Sequence, residues 1–204
     1  TNLCLQSEDF STTWAIPATT LAVVGNEAIA PNGTLQADKI IDDSGTGTGT
    51  CYVVQTITTA TSTAYTYSVY AKADQLDWIR LEVGNMGVLA INAIYDLTNG
   101  VVGATVGANV TSTFIEDVGN GWFRCGLVFT SDSSDTSASY EIDIAEANGD
   151  IVVDLDGTSS IFVWGAQLEA GAFPTSYIPT VASSVTRNLD SLAATLTNQW
   201  SNDR

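Results

Sequence analysis

The stretch from Ile161 to Pro179 admits few folds. Along Ile161–Glu169 apolar and polar positions alternate, with Phe162, Trp164, Ala166 and Leu168 on one face and Val163, Gly165, Gln167 and Glu169 on the other. That is the period of a strand with one face buried. It places Trp164 in the core with Leu168 and points Gln167 and Glu169 outward. Gly171, Pro174 and Pro179 follow, and none of them continues a ladder, so the chain leaves the sheet as an extended, pinned segment.

The same period recurs along the chain. Strands are expected at Asn2–Gln6, Leu21–Val24, Ala37–Ile41, Cys51–Thr58, Ala64–Lys72, Trp78–Val83, Leu89–Asp96, Thr113–Val118, Trp122–Thr130, Ser139–Ala145 and Ile161–Glu169. Turn-rich loops separate them, among them Asp43 to Thr50 and Ser131 to Ser137. No window keeps a 3.6-residue apolar stripe, so helices are not expected. Many short strands divided by such turns read as an all-β sandwich. At 204 residues one domain is expected, spanning 1–180, with 181–204 as an appendage or the start of a linker.

Six Lys and Arg stand against 23 Asp and Glu, a net charge of −17. Such a chain cannot neutralise phosphates, so neither nucleic acid nor an anionic membrane surface is an expected partner. No apolar run reaches the length that spans a bilayer. No basic region followed by an apolar one opens the chain, so a signal peptide is expected to be absent or already removed. Histidine is missing altogether, which removes Ser-His-Asp and Cys-His nucleophiles and imidazole metal sites. Cys4, Cys51 and Cys125 are an odd number. One bridge, Cys4 to Cys51, could form, while Cys125 reads as a buried small hydrophobe.

Strand phase identifies side chains that could meet a ligand. Tyr65, Tyr67, Val69 and Ala71 form one core set, Ile79, Leu81 and Val83 another, and Phe123, Cys125, Leu127 and Phe129 a third. The opposite phase carries Tyr70, Trp78, Arg80, Glu82, Asn92, Trp122, Arg124, Glu141 and Asp143, with Gln167 at comparable phase. Aromatic faces stack on the C–H faces of pyranose rings, while guanidinium, amide and carboxylate groups bond the hydroxyls. On this reading Trp78, Tyr70 and Trp122 stack, and Arg80, Glu82, Asn92, Arg124 and Gln167 orient the sugar. The same outward tryptophans would equally suit a contact with a neighbouring subunit, and Trp122 could simply pack on its hairpin. Glu141 and Asp143, two residues apart on one strand face, have a spacing that a glycosidase could use, but alternating with the core set Tyr140, Ile142 and Ile144 they read first as an ordinary solvated pair.

Several segments, in order and spacing, resemble one kind of module. These are Asn2-Leu-Cys-Leu-Gln-Ser-Glu-Asp-Phe10 with Trp14, Ala30-Pro-Asn-Gly-Thr34 with Ala37-Asp38-Lys39-Ile40, Tyr65-Thr-Tyr-Ser-Val-Tyr-Ala-Lys72, Val118-Gly-Asn-Gly-Trp-Phe-Arg-Cys125, and the closing segment through Ser184-Val-Thr-Arg187. Together they resemble carbohydrate-binding jelly-roll modules of bacteriophage tail and tail-fibre proteins and of polysaccharide-degrading proteins. The resemblance implies a jelly roll of two antiparallel sheets, a polysaccharide or oligosaccharide partner, no catalytic centre, and an extracellular or virion-surface location. In a tail fibre it also implies a homo-oligomer. It further implies a structural Ca²⁺ where the first and last strands meet, held by Glu8, Asp9 and Glu169. Asp154 and Asp156 in a DxDG turn form a second acidic pair that lacks the distal Glu of a calcium loop. Two alternatives remain beside adhesion to glycans: a structural virion module that contacts neighbouring subunits without sugar, and a carboxylate-dependent glycoside hydrolase or lyase.

Overall fold

In the computed structural model, residues 1–17, 21–43, 45–84 and 91–187 are described. Alternation becomes strand wherever it was strong. The strands are β1 Leu21–Ile29, β2 Leu35–Asp42, β3 Thr48–Gly49, β4 Tyr52–Thr58, β5 Ala64–Ala73, β6 Trp78–Gly84, β7 Ile91–Asp96, β8 Val101–Val106, β9 Val110–Gly119, β10 Trp122–Thr130, β11 Ser137–Ala145, β12 Val153–Asp154 and β13 Ser160–Ala170. A six-stranded sheet runs β1-β2-β13-β5-β10-β9 and a five-stranded sheet β4-β11-β6-β7-β8, with every pairing antiparallel. The short β12 and β3 pair apart from both. No helix occurs among the described residues.

The two sheets meet through the expected core phases. Tyr65, Tyr67, Val69 and Ala71 of β5 and Cys125, Leu127 and Phe129 of β10 are buried against Ile79, Leu81 and Val83 of β6 and Tyr140, Ile142 and Ile144 of β11. Tyr67 and Tyr140 pack edge to face at 5.3 Å across the gap. Each Val, Leu, Ile or Phe among them, once fully buried, contributes roughly 1.5–3 kcal/mol relative to exposure. Trp14 closes one end of this core, its ring 5.1 Å from Phe10 and its Nε1 donating to the Gln6 carbonyl.

Three expectations change. The N-terminal run 2–6 is no strand: Asn2 makes a single bridge with Val185, and its side chain donates to the Ala166 and Ile178 carbonyls. Its short apolar pattern came from wrapping over the core edge rather than from a ladder. β8, which sequence alternation did not reveal, is an exposed edge strand with little apolar contrast. Cys4, Cys51 and Cys125 are all buried thiols, so the Cys4–Cys51 bridge does not form. Part of the expected 89–96 strand and most of the 181–204 segment lie outside the described residues.

The largest correction concerns β13 itself. Its pairing with β5 slips between Trp164, opposite Tyr70, and Gln167, opposite Ser68, so two residues of β13 face one of β5. Gly165 sits in this bulge at φ +66°. A Cβ there would lie 2.9 Å from Tyr70 Cδ2 and 3.3 Å from the Tyr177 ring, so glycine serves both the backbone and the space. The bulge inverts the phase. Ile161 and Val163 point into the main core before it and Ala166 and Leu168 after it, while Phe162 and Trp164 face outward.

Candidate functional site

The outward residues expected to share one platform fall on opposite sides of the molecule. Tyr70, Trp122, Arg124 and Gln167 belong to the six-stranded sheet, and the closing segment covers most of them. Trp122 is 1% exposed, donates Nε1 to the Ile29 carbonyl and packs with Ala30, Ala37 and Trp164. Arg124 is buried and held at both ends, by the Thr175 carbonyl at 2.8 Å and Ser68 Oγ at 3.1 Å. Gln167 has no exposure; its Nε2 donates to Glu169 and its Oε1 accepts from the Ile178 N–H. Tyr70 is half-buried between Trp164 and Tyr177. Arg124, Gln167 and Tyr70 therefore anchor the strap 171–180 to the sheet, while Trp122 is closed over by the end of β1. Phase correctly turned them away from the core, but it could not reveal that the chain folds back over them.

Trp78, Arg80, Glu82 and Asn92 do come together, on the outer face of the five-stranded sheet. Cross-strand register sets two adjacent rows: Tyr52–Asp143–Arg80–Ile94 and Val54–Glu141–Glu82–Asn92. Arg80 donates Nε and Nη2 to the two oxygens of Asp143, at 3.2 and 2.9 Å, and Nη1 lies 2.7 Å from Glu82 Oε2. Asn92 reaches the same Glu82 oxygen at 3.4 Å, and Ser139 Oγ donates to Glu141 at 3.0 Å. Trp78 ends the face. Its Cζ3 would lie 3.1 Å from a Cβ at Gly103, which has none, and the Asn148 side chain caps the same spot by accepting from the Ala104 N–H at 2.7 Å. Tyr52 was not singled out from the sequence, although it alternates with core residues Cys51 and Val53 and so announced its outward position.

Burial dominates the electrostatics of this face. It pushes the Asp143 carboxyl up to about 7, against the opposing pull of Arg80 and with a further push from Glu141 and Glu82. Glu82 moves upward for the same reasons, burial first. Asp143 is wholly buried, so Glu141 and Asp143 do not present two accessible carboxylates to one substrate. As an acid pair for glycoside cleavage they do not fit.

The expected calcium ligands do not converge. Glu169 is 2% exposed and committed to the strap, accepting from Gln167 Nε2, the Thr175 N–H and Thr175 Oγ1. Asp9 accepts from Ser11 and Thr12 in its own turn. Glu8 and Asp9 instead line a polar cleft of about 320 Å³ with Gln6, Asn26 and Asp38. Asp38, absent from the sequence-based set, accepts there from the Phe10 and Asn26 N–H groups, and burial raises its pKa. Among the described residues no group of three acidic or cysteine side chains is placed to hold a metal.

Fold and face define a jelly-roll β-sandwich with one partly exposed, polar sheet face and one face strapped shut. No family model and no curated protein sequence matches the chain. Among solved structures it is similar to the enzymatically active domain of tailspike protein 4 of bacteriophage CBA120, with a TM-score of 0.51, 13% identity, and 83% of this chain and 21% of that one covered. It is also similar to TmCBM61, solved in complex with beta-1,4-galactotriose, with a TM-score of 0.51, 11% identity, and 84% of this chain and 99% of that one covered. The chain thus spans about a fifth of the tailspike structure and nearly all of the TmCBM61 structure. At these identities the likeness establishes a shared fold.

Proposed function

We propose that this chain is a non-catalytic carbohydrate-binding module that adheres to a polysaccharide through the outer face of its five-stranded sheet. The observation that carries the reading is the grouping of Trp78, Tyr52, Arg80, Glu82, Asn92 and Glu141, all partly exposed, on one sheet face. An aromatic edge and a row of hydrogen-bonding groups are what a pyranose chain needs, apolar stacking at one position and hydroxyl partners beyond it. The shared fold with a module solved around a galactotriose agrees with this. Adhesion of this type is weak per site and gains from repetition, as on a virion or a secreted multidomain protein, where we place the chain. No cation is needed by the face, since Arg80 already pairs with Asp143 and Glu82.

The test is a glycan array spanning plant, algal and bacterial polysaccharides, read with the native chain and with Trp78→Ala. Binding that weakens at least about ten-fold in the variant supports the reading. No binding to any glycan ends it. A second reading, a virion module that only contacts neighbouring subunits, has one observation behind it: Ile29 and Leu35 are paired across β1 and β2 and are 57% and 56% exposed. A trimer that buries this hairpin would favour it.

A further inference from the structure

Four charged side chains of the candidate face form a square. Asp143 faces Arg80 across the β11–β6 ladder, Glu141 faces Glu82, and the two pairs are adjacent along their strands. Arg80 therefore has Asp143 beside it across the ladder and Glu82 beside it along the strand, and it bonds both. Glu141 occupies the corner diagonal to Arg80, about 7–8 Å away by sheet geometry. Its two neighbours within the square are both carboxylates.

Like charges directly opposite on a sheet repel; Arg80 compensates Glu82 at 2.7 Å but makes no bond to Glu141. Among the described residues Arg80 is the one Lys or Arg on this sheet: Lys39, Lys72 and Arg124 lie in the six-stranded sheet, and Arg187 lies beyond the strap. Three of the guanidinium's five N–H positions are already directed at Asp143 and Glu82, so it is not free to receive an anionic ligand. The donor that Glu141 does hold is the neutral Ser139 hydroxyl, at 3.0 Å. Its field reaches its neighbours: after burial, Glu141 contributes to the upward shifts of Tyr52, Glu82 and Asp143.

Resting on the carbohydrate-binding reading, we propose that Glu141 is the specificity-determining residue of this face, and that it selects glycans by charge. Its uncompensated corner accepts donors, the hydroxyls of a neutral glycan or the ammonium of an amino sugar. It turns away uronate and sulfate groups. Trp78 contributes stacking that is indifferent to ligand charge, so the two residues divide affinity from charge preference.

The test uses matched oligosaccharides on one array at low ionic strength: chito-oligosaccharides with and without N-acetylation, oligogalacturonates as methyl esters and as free acids, and neutral gluco-, xylo- and galacto-oligosaccharides. The native chain is expected to bind free-acid members about five- to ten-fold more weakly than their neutral partners, and amino-bearing members at least as well as neutral ones. Glu141→Gln should flatten this ranking. Glu27→Gln changes the net charge equally but lies exposed on β1 of the opposite sheet, so it should leave the ranking intact. Trp78→Ala should weaken all members together with the ratios preserved. A ranking unchanged in Glu141→Gln, or flattened equally by Glu27→Gln, overturns the assignment while leaving sugar binding standing. Equal binding of acid and ester forms by the native chain overturns it as well. Silence across the whole array instead removes the carbohydrate-binding reading, and this inference with it.

Discussion

Asp143 of β11 and Arg80 of β6 face each other across the ladder and share two hydrogen bonds, with the carboxylate wholly buried and the guanidinium half-buried. The arrangement anchors a charged group whose Glu82 and Glu141 members stay partly exposed, and it makes the two residues unequal under mutation.

Removing Arg80 leaves a buried carboxylate without its bidentate partner and beside two others. Arg80→Ala is expected to cost about 3–5 kcal/mol in chemical denaturation, the usual penalty for stranding one half of a buried ion pair. Asp143→Asn, which keeps shape and leaves Arg80 its Glu82 contact, should cost clearly less. Equal losses would show that packing, rather than stranded charge, governs the site.

Stability should also carry a pH signature from Asp143. Its folded pKa of about 7 lies above the ordinary 3.8, so the folded state holds the proton more tightly than the unfolded chain does. The contribution from this group is greatest below about 4 and is lost as pH rises toward 7. Glu82 and Glu8, both shifted upward chiefly by burial, add the same sign. Thermal melts of the native chain and Asp143→Asn between pH 4.5 and 8 should therefore diverge in slope, the variant being the flatter. Parallel curves would assign the slope to other groups.

At the bulge, Gly165→Ala combines a left-handed backbone with a Cβ 2.9 Å from Tyr70. A loss of about 1–3 kcal/mol is expected, with near-ultraviolet dichroism of the Tyr70, Trp164 and Tyr177 cluster altered. Unchanged stability would mean that the bulge can relax into a regular ladder.

Gly103 bears on the face in a different way. Gly103→Val would place side-chain atoms where the Trp78 ring and the Asn148 cap now meet. Glycan affinity should fall several-fold while β8, an exposed edge strand, costs the fold little. Intact affinity would show that Trp78 stacks on ligand without needing this support.

Period-two patterning was enough to read the sandwich, because a strand with one buried face must alternate and its core set can be written from the sequence alone. Tyr67, Leu81, Leu127 and Ile142 were legible in this way. So was the grouping of Trp78, Arg80 and Glu82 on one strand face, since alternation within a single strand needs no partner. Pairing was not legible. Whether Glu141 lies beside Glu82 or beside Thr66 depends on which strands are neighbours and in what register, and strand order in a sandwich is set by loop paths and by packing between sheets. The bulge at Gly165 was equally hidden, because a single extra residue inverts phase without altering composition, so Trp164 was assigned to the wrong face.

The sequence by itself determined the fold class, the main core, the acidic surface and the outward phase of Trp78 and its strand neighbours. Tertiary structure decided which outward face keeps some exposure. The strap 171–180 folds back over Arg124 and Gln167 and against half-buried Tyr70, and the end of β1 closes over Trp122, while Trp78, Arg80 and Glu141 keep partial exposure. The physical reason is that alternation reports only the local direction of a side chain. Coverage depends on contacts between residues about fifty to a hundred positions apart, such as Arg124 with Thr175 and Tyr70 with Tyr177, and no local pattern encodes those.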